Sequence, residues 1–528
     1  MSFTTVNFAI FMVVVFLVYY ILPRKLQPYV LLIASLVFYS FAGIVGLCFL
    51  VGVTLVTYLG GLRINRINAI ELDELSADGL DRDTKKSIKA RYQSARKKVV
   101  TICVVLLVAV VILFKYTNFI YENVVALTGI FGAGLSFSAL NIILPVGLSF
   151  YTFQAMGYII DVYRGTAEAE TNFIKYALFA TYFPQLLQGP IGDYNKLSVQ
   201  LYQSHDYDTK NASLGLQRIM WGVFKKLVIA NSISYGVDAY LSSYYLYSGF
   251  IWIGIIVLYA IQLYADFSGY MDIACGCSQM LGITLDENFD SPYFSKSIAE
   301  FWRRWHMSLG AWFKNYVFYP VLRSDRLNDF RKKYRKAGKT YLSATVPNVI
   351  ALLVTWLLIG CWHGSSWSYI LYGLFHGFFV IMDSVMSPIY TKWRDKHKGL
   401  SESKAFNLFR IIRTFVIVCI GYVIFRPNNL EVTSYIYKHM FAGLEKSTIG
   451  AFVYNYYYYL ISAGLGTIVL FFVDLYHVKN PTVGSIRANI AEKTPAVRLL
   501  IYLLAIMAIV FFGAYGDASL NQFAYFQF

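Results

Sequence analysis

Long apolar runs alternate with short polar connectors along this chain, and the runs have the length of membrane-crossing helices. The first three cover about 7–22, 28–43 and 45–61. A helix needs roughly 17–25 apolar residues to cross the hydrocarbon core, a length the first two reach with their flanks included. Further runs lie at about 99–115, 172–188, 248–265, 347–362, 367–386, 406–425, 450–474 and 497–514. With the punctuated segments between them, they predict an all-α polytopic membrane protein of roughly eleven or twelve crossing helices plus re-entrant or interfacial pieces. No fixed-period repeat, low-complexity linker or soluble stretch interrupts the pattern, so residues 1–528 read as one membrane domain.

Several segments depart from a plain span. From Lys115 to Asn141 the chain is less regular and Gly-rich, as expected of a stretch at the outer surface. The next helix starts near Pro145 and Gly147 and ends in Asp161 and Arg164, three apart and able to pair on one helix face. The run 172–188 ends in Phe183-Pro-Gln-Leu-Leu-Gln188-Gly-Pro190, which predicts a short or broken helix, tolerated at membrane depth only where protein or a water cavity covers the backbone. Leu214 to Asp238 reads as an amphipathic helix carrying Lys225 and Lys226. From Glu300 the pattern predicts one continuous helix, with Trp302, Trp305, Leu309, Trp312, Phe313 and Tyr316 on one stripe and Arg303, His306, Gly310 and Lys314 on another. A basic, Trp-rich helix of this kind lies at a membrane interface rather than across it.

Composition supports the membrane reading: 57% of residues are hydrophobic, 18% aromatic and 14% charged, where soluble domains carry about 25% charged residues. The net charge of +16 would point to nucleic acid in a soluble protein. Here ten Lys or Arg residues fall between Arg63 and Lys98 and eight between Arg323 and Lys339. Basic connectors between apolar runs mark cytoplasmic loops, so the 62–98 loop is expected inside, the N-terminus outside, and no nucleic-acid role follows. The N-terminal residues lack a basic lead and a small-residue cleavage site, so the first run is expected to remain as a span. The six cysteines match no zinc or haem spacing and read as small buried residues.

The chemistry concentrates between Phe301 and Gly364. This block opens with Phe301-Trp-Arg-Arg-Trp-His306 and closes with Cys361-Trp-His363-Gly364, so two of the seven histidines sit at its ends. An ionisable residue at mid-bilayer costs roughly 2.5–3.5 kcal/mol on insertion scales and is tolerated mainly where it lines a polar cavity or does chemistry. The plainer account of His363 is a belt residue at the membrane face. The sharper one is a general base, since a neutral imidazole can take a proton from a hydroxyl, typically worth 10²–10⁴-fold in rate. His306 alone reads first as interfacial. Asp266 and Asp272, with Ser268 between them in an apolar region, either pair with basic residues such as Arg303 and Arg304 or face a cavity. Arg303 and Arg304 could also attract donor phosphates, topology being the plainer account. No nucleophile elbow, phosphate loop or metal-ligand cluster is present, which leaves direct attack of a hydroxyl on an activated acyl group.

Six pieces in order over about 140–380 carry a resemblance: Leu144-Pro-Val-Gly-Leu-Ser-Phe-Tyr-Thr-Phe; Phe183-Pro-Gln-Leu with Gly189-Pro190-Ile191; Tyr264-Ala-Asp-Phe-Ser-Gly-Tyr-Met-Asp-Ile-Ala; Asn288-Phe-Asp-Ser-Pro-Tyr; Phe301-Trp-Arg-Arg-Trp-His-Met-Ser-Leu; and Gly360-Cys-Trp-His-Gly. With them the chain resembles the membrane-bound O-acyltransferase family, in its bacterial branch of alginate O-acetyltransferases and teichoic acid D-alanyltransferases. The resemblance implies a ring of helices around a central tunnel, His363 as catalytic base and His306 in the same cavity. It also suggests Arg303, Arg304, Trp305, Trp362, Asp266, Ser268 and Gln188 as donor or tunnel residues. No bound cofactor or metal is implied; acetyl-CoA or an acyl-carrier thioester would be the donor. The additional C-terminal spans at about 450–514 favour the acetyltransferase side: acetyl transfer to an exported polysaccharide, with an extracytoplasmic SGNH-hydrolase-like partner, from the bacterial cytoplasmic membrane. The alternatives are D-alanyl transfer to teichoic acid, a polysaccharide or lipid transporter relaying protons through Asp161, Asp266 and Asp272, and a non-catalytic export scaffold.

Overall fold

The computed structural model describes residues 1–132, 138, 140, 145–443, 446–480 and 485–515. The stretch from Lys115 to Asn141, expected to be less regular, is helical over Thr117–Ile130; residues 133–137, 139 and 141, with Leu144 at the head of the first motif, lie outside the described residues. Among these residues the regular structure is helical, with a single antiparallel bridge between Phe289 and Trp305. Eight helices are long and apolar enough to cross a membrane: Ile44–Leu75, Arg82–Lys115, Ile251–Met280, Thr340–His363, Trp367–Lys396, Lys404–Phe425, Lys446–Lys479 and Pro495–Phe512. All but the largely buried Ile251–Met280 carry exposed large apolar side chains along their lengths, so the solvent that suits them is lipid, and the protein is a multi-pass membrane protein.

The other expected spans are shorter: Val6–Ile21 (16 residues), Gln27–Ser40 (14) and Leu148–Arg164 (17). Breaks near Pro23, Gly43 and Gly147 cut them, and both glycines hold a left-handed φ, 93° and 77°. The run 172–188 is broken as its Pro and Gly content predicts. A nine-residue helix, Phe173–Thr181, ends before the single turn Phe183–Leu186. Every residue from Tyr176 to Ile191 is buried, which is the protein cover that an interrupted backbone requires.

The chain divides into two compact units, Met1–Ala212 with Cys277–Asp286, and Ser213–Gly276 with Glu287–Phe528. In the first unit the polar stretch 62–98, expected as a loop, is largely helical. Ile44–Leu75 and Arg82–Lys115 extend into it and are tied by Arg91–Glu74 and Arg96–Glu71 ion pairs. Cys48 in this unit is exposed, unlike the buried Cys103, Cys275, Cys277 and Cys419.

The second unit is built around Ile251–Met280, whose most apolar window is 72% buried. Trp252, Tyr259, Phe267, Trp305, Tyr422 and Phe425 belong to its continuous core. Gly222 and Gly269 face each other so closely that a Cβ on Gly222 would lie 2.5 Å from the Gly269 carbonyl oxygen, and one on Gly269 would lie 2.9 Å from that of Gly222. Helix Thr209–Phe224 therefore packs backbone to backbone on Ile251–Met280. It continues through a π-helical turn, Lys225–Ala230. The wider turn rotates less per residue, so consecutive Lys225 and Lys226 both reach the same neighbouring helix. Further along, the helix predicted from Glu300 to Tyr316 is interrupted: Ile298–Arg304 stops, Met307–Phe313 begins afresh, and Trp305 and His306 form the joint.

Candidate active site

The break at His306 has a cause elsewhere in the chain. Residues 288–290 pair with 304–307 across it: Asp290 N–H donates to the Arg304 carbonyl and Met307 N–H to the Asn288 carbonyl, both at 3.0 Å. The Asn288 side chain completes the clamp. Its Oδ1 accepts Ser308 N–H at 2.8 Å and lies 3.4 Å from His306 Nδ1. Because Oδ1 already acts as an acceptor, His306 meets it with a protonated Nδ1, leaving Nε2 as the acceptor nitrogen of the ring. His306 holds φ 47° and ψ 56°, a left-handed conformation that costs of order 1–3 kcal/mol outside glycine and persists only where the surroundings enforce it. The ring is 2% exposed and sits edge-on to Phe267 at 4.8 Å. Burial pushes its pKa down to about 3, so the imidazole is neutral.

His363 arrives by a more ordinary route, as the last residue of helix Thr340–His363. Gly364 ends that helix against the next, where a Cβ would lie 2.2 Å from the Tyr369 ring. The glycine is therefore required by space. His363 is 8% exposed, and its ring lies edge-on to Phe425 at 5.2 Å and Tyr372 at 5.7 Å. Trp362 joins the two histidines: its ring is 4.9 Å from His363 and 5.8 Å from His306. The structure thus brings His306, Trp362 and His363 into one buried aromatic cluster. Such a cluster holds two imidazoles out of water, where hydrogen bonds to a reacting group are electrostatically stronger.

The remaining residues singled out from sequence fall in different places. Trp305 is buried in the joint, stacked on Phe301 at 5.5 Å. Arg303 is exposed. Arg304 is spent locally, 2.9 Å from Glu300 and 3.9 Å from Asp290. Asp266 and Asp272 pair with cations other than these arginines. Lys226 Nζ is 2.6 Å from Asp266, while Lys225 Nζ, at 2.6 Å, and Arg218, at 2.9 Å, both hold Asp272. Ser268 accepts from Lys225 at 2.8 Å, and Arg218 also grips Glu287. Gln188 lies in the first unit, 1% exposed, with neither end of its carboxamide hydrogen-bonded. Sequence reasoning did not single out Asn288 as a side chain, nor Phe267, Tyr372 and Phe425. Asn288 stood within a recognised motif, which was the available signal. Among the described residues no group of three His, Cys, Asp or Glu is arranged to hold a metal ion.

Residues 168–425 match the family model for MBOAT, the membrane-bound O-acyltransferase family. The chain is 34% identical over 425 residues to the probable alginate O-acetylase AlgI of Azotobacter vinelandii, covering 80% of this chain and 74% of that one. It is 30% identical over 357 residues to the peptidoglycan O-acetyltransferase of Helicobacter pylori, covering 62% and 61%. It is also 30% identical over 302 residues to the teichoic acid D-alanyltransferase of Bacillus subtilis, covering 54% and 69%.

Proposed function

Because the chain belongs to the membrane-bound O-acyltransferase family, we propose that this O-acyltransferase moves an acetyl group from a cytoplasmic thioester to a hydroxyl of an exported polysaccharide, or to a hydroxyl of a relay partner. The observation that carries the proposal is the Trp362 ring set between two buried histidines. In this reading His363 takes the proton of the acceptor hydroxyl as its oxygen attacks the thioester carbonyl. The carbon–sulfur bond breaks, the ester forms, and the thiolate leaves and is reprotonated. His306, neutral and clamped by Asn288, positions the thioester or the acceptor. Acetyl-CoA is the proposed donor. The relatives named as acetylases align over more of this chain than the D-alanyltransferase does, which favours acetyl over D-alanyl.

The proposed setting is the bacterial cytoplasmic membrane with the N-terminus outside, supported by the basic connectors. An SGNH-hydrolase-like protein on the outer side would complete delivery. A proton-relaying transporter is disfavoured because Asp266 and Asp272 are held by lysines and an arginine.

The test is acyl transfer from radiolabelled acetyl-CoA by purified protein in nanodiscs, with wild type compared against His363→Ala and His306→Ala. Wild type is expected to capture label, and His363→Ala to lose it by 10²–10⁴-fold while remaining folded. A His363→Ala variant as active as wild type would remove the assigned base. Capture only from an aminoacylated carrier protein would replace acetyl by D-alanyl.

A further inference from the structure

Helix Pro495–Phe512 is bound into the second unit as a strap. Midway along it, the Tyr502 hydroxyl accepts from Gln217 Nε2 at 2.9 Å. Past its end, Ala514 N–H donates to the Leu227 carbonyl at 2.9 Å and the Ala514 carbonyl accepts from Asn231 at 3.0 Å. None of the helix is buried. Leu504, Ala505 and Ala508 line a cavity of about 680 Å³ together with Val469, Leu470 and Val473. That volume falls within the roughly 300–1,000 Å³ of typical ligand sites. Its lining joins apolar residues of this exposed helix to polar groups, and includes Asn288 and Met307 beside the His306 joint.

Two features define what would fit there. Gln217 is 8% exposed and lines the cavity, yet its Oε1 has no hydrogen-bond partner. A buried amide oxygen left in this state calls for a donor on the occupant. In addition, four carboxylates line the cavity against three cations, with Arg304 reaching Asp290 from outside it. Asp272 is held by Lys225 and Arg218, whereas Asp474 receives only the Tyr264 hydroxyl, at 2.9 and 3.1 Å. A carboxyl group without a cation paired to it disfavours a ligand of several phosphates, such as a CoA nucleotide, and favours one carrying an ammonium.

We propose that this slot binds a glycerophospholipid with a primary-ammonium headgroup. One acyl chain lies between the strap and the helix Lys446–Lys479, and the other remains in the bilayer. The ammonium lies toward Asp474 and donates to Gln217 Oε1; the phosphate faces Arg487, which also lines the cavity. Seated behind Asn288, the lipid props the joint that holds His306. The proposal concerns binding and stands independently of the acyl-transfer reading.

The test is native mass spectrometry of protein released from nanodiscs of equimolar phosphatidylethanolamine, phosphatidylcholine and phosphatidylglycerol. Wild type is expected to retain one phosphatidylethanolamine per chain, at least fivefold over either competitor, because the quaternary headgroup has no N–H to offer and the glycerol headgroup no positive charge. Ala505→Trp, which fills the slot, should lose it, while Leu503→Trp, exposed on the same helix, should keep it. Gln217→Leu should reduce the preference over phosphatidylcholine without unfolding the protein. Equal retention of all three lipids, retention unchanged in Ala505→Trp, or displacement of the lipid by acetyl-CoA would each overturn the proposal, the last by making the cavity the donor's seat.

Discussion

Two polar clusters lie within the same apolar unit, and they treat their polar groups in opposite ways. In the charge cluster, Arg218, Lys225, Lys226, Asp266, Asp272 and Glu287 satisfy one another. In the histidine cluster, His306 and His363 are surrounded by the rings of Phe267, Trp362, Tyr372 and Phe425. Both break the rule that ionisable groups stay out of the membrane. The first meets the cost with partners, which fixes the helix Thr209–Phe224 and its π turn on Ile251–Met280. The second keeps His306 neutral and gives both histidines aromatic rings for neighbours. A cluster that consumes its own charge serves the fold, whereas one that holds imidazoles among rings suits proton transfer to something that arrives from outside.

The largest effect that separates the two lies in the charge cluster. Lys226 and Asp266 have side chains only 3% and 2% exposed. Lys226→Met alone takes from the buried Asp266 carboxylate its lysine partner, at a cost of about 3–5 kcal/mol, and folded yield on size-exclusion chromatography should collapse. The double variant Lys226→Met/Asp266→Leu removes both charges and should recover most of the yield together with acyl transfer. If the double variant folds and is inactive, Asp266 belongs to the reaction and the contrast between the clusters fails.

How much of this contrast was legible in the sequence depends on how far apart the interacting residues lie. The long spans were readable because each is a single apolar run whose burial or lipid exposure is set locally, as in Thr340–His363 and Lys404–Phe425. His363 could be marked because an apolar helix ends on it. The break at His306 could not be seen in the periodicity of Phe301–Tyr316, which runs on unbroken; it is imposed by Asn288, 18 residues upstream. The partners of Asp266 and Asp272 were missed for a similar reason. Lys225 and Lys226 were visible as lysines in an apolar helix, but only the π turn and the Gly222–Gly269 approach bring them to those carboxylates. The polar stretch 62–98 looked like a loop because charge outweighed apolarity, although little except Gly79 breaks its helical register.

A smaller effect tests whether the joint at His306 is part of the chemistry or only of the fold. Asn288→Ala removes the acceptor shared by Ser308 N–H and His306 Nδ1. An unmet buried donor costs about 1–3 kcal/mol, and where this loosens the ring, kcat should fall roughly ten- to a hundredfold. Asn288→Asp is the sharper probe, because it keeps an acceptor in place and adds a negative charge. Desolvation now holds His306 neutral, with a pKa of about 3. A carboxylate 3.4 Å from Nδ1 stabilises the imidazolium and raises that pKa. If neutral His306 is required, activity in Asn288→Asp should acquire a new acid limb, falling as pH drops through the raised pKa, where wild type shows no such limb from this residue. A wild-type-like pH profile, with kcat unchanged in both variants, would reduce His306 to a structural residue of the joint and leave His363 as the single histidine engaged in proton transfer.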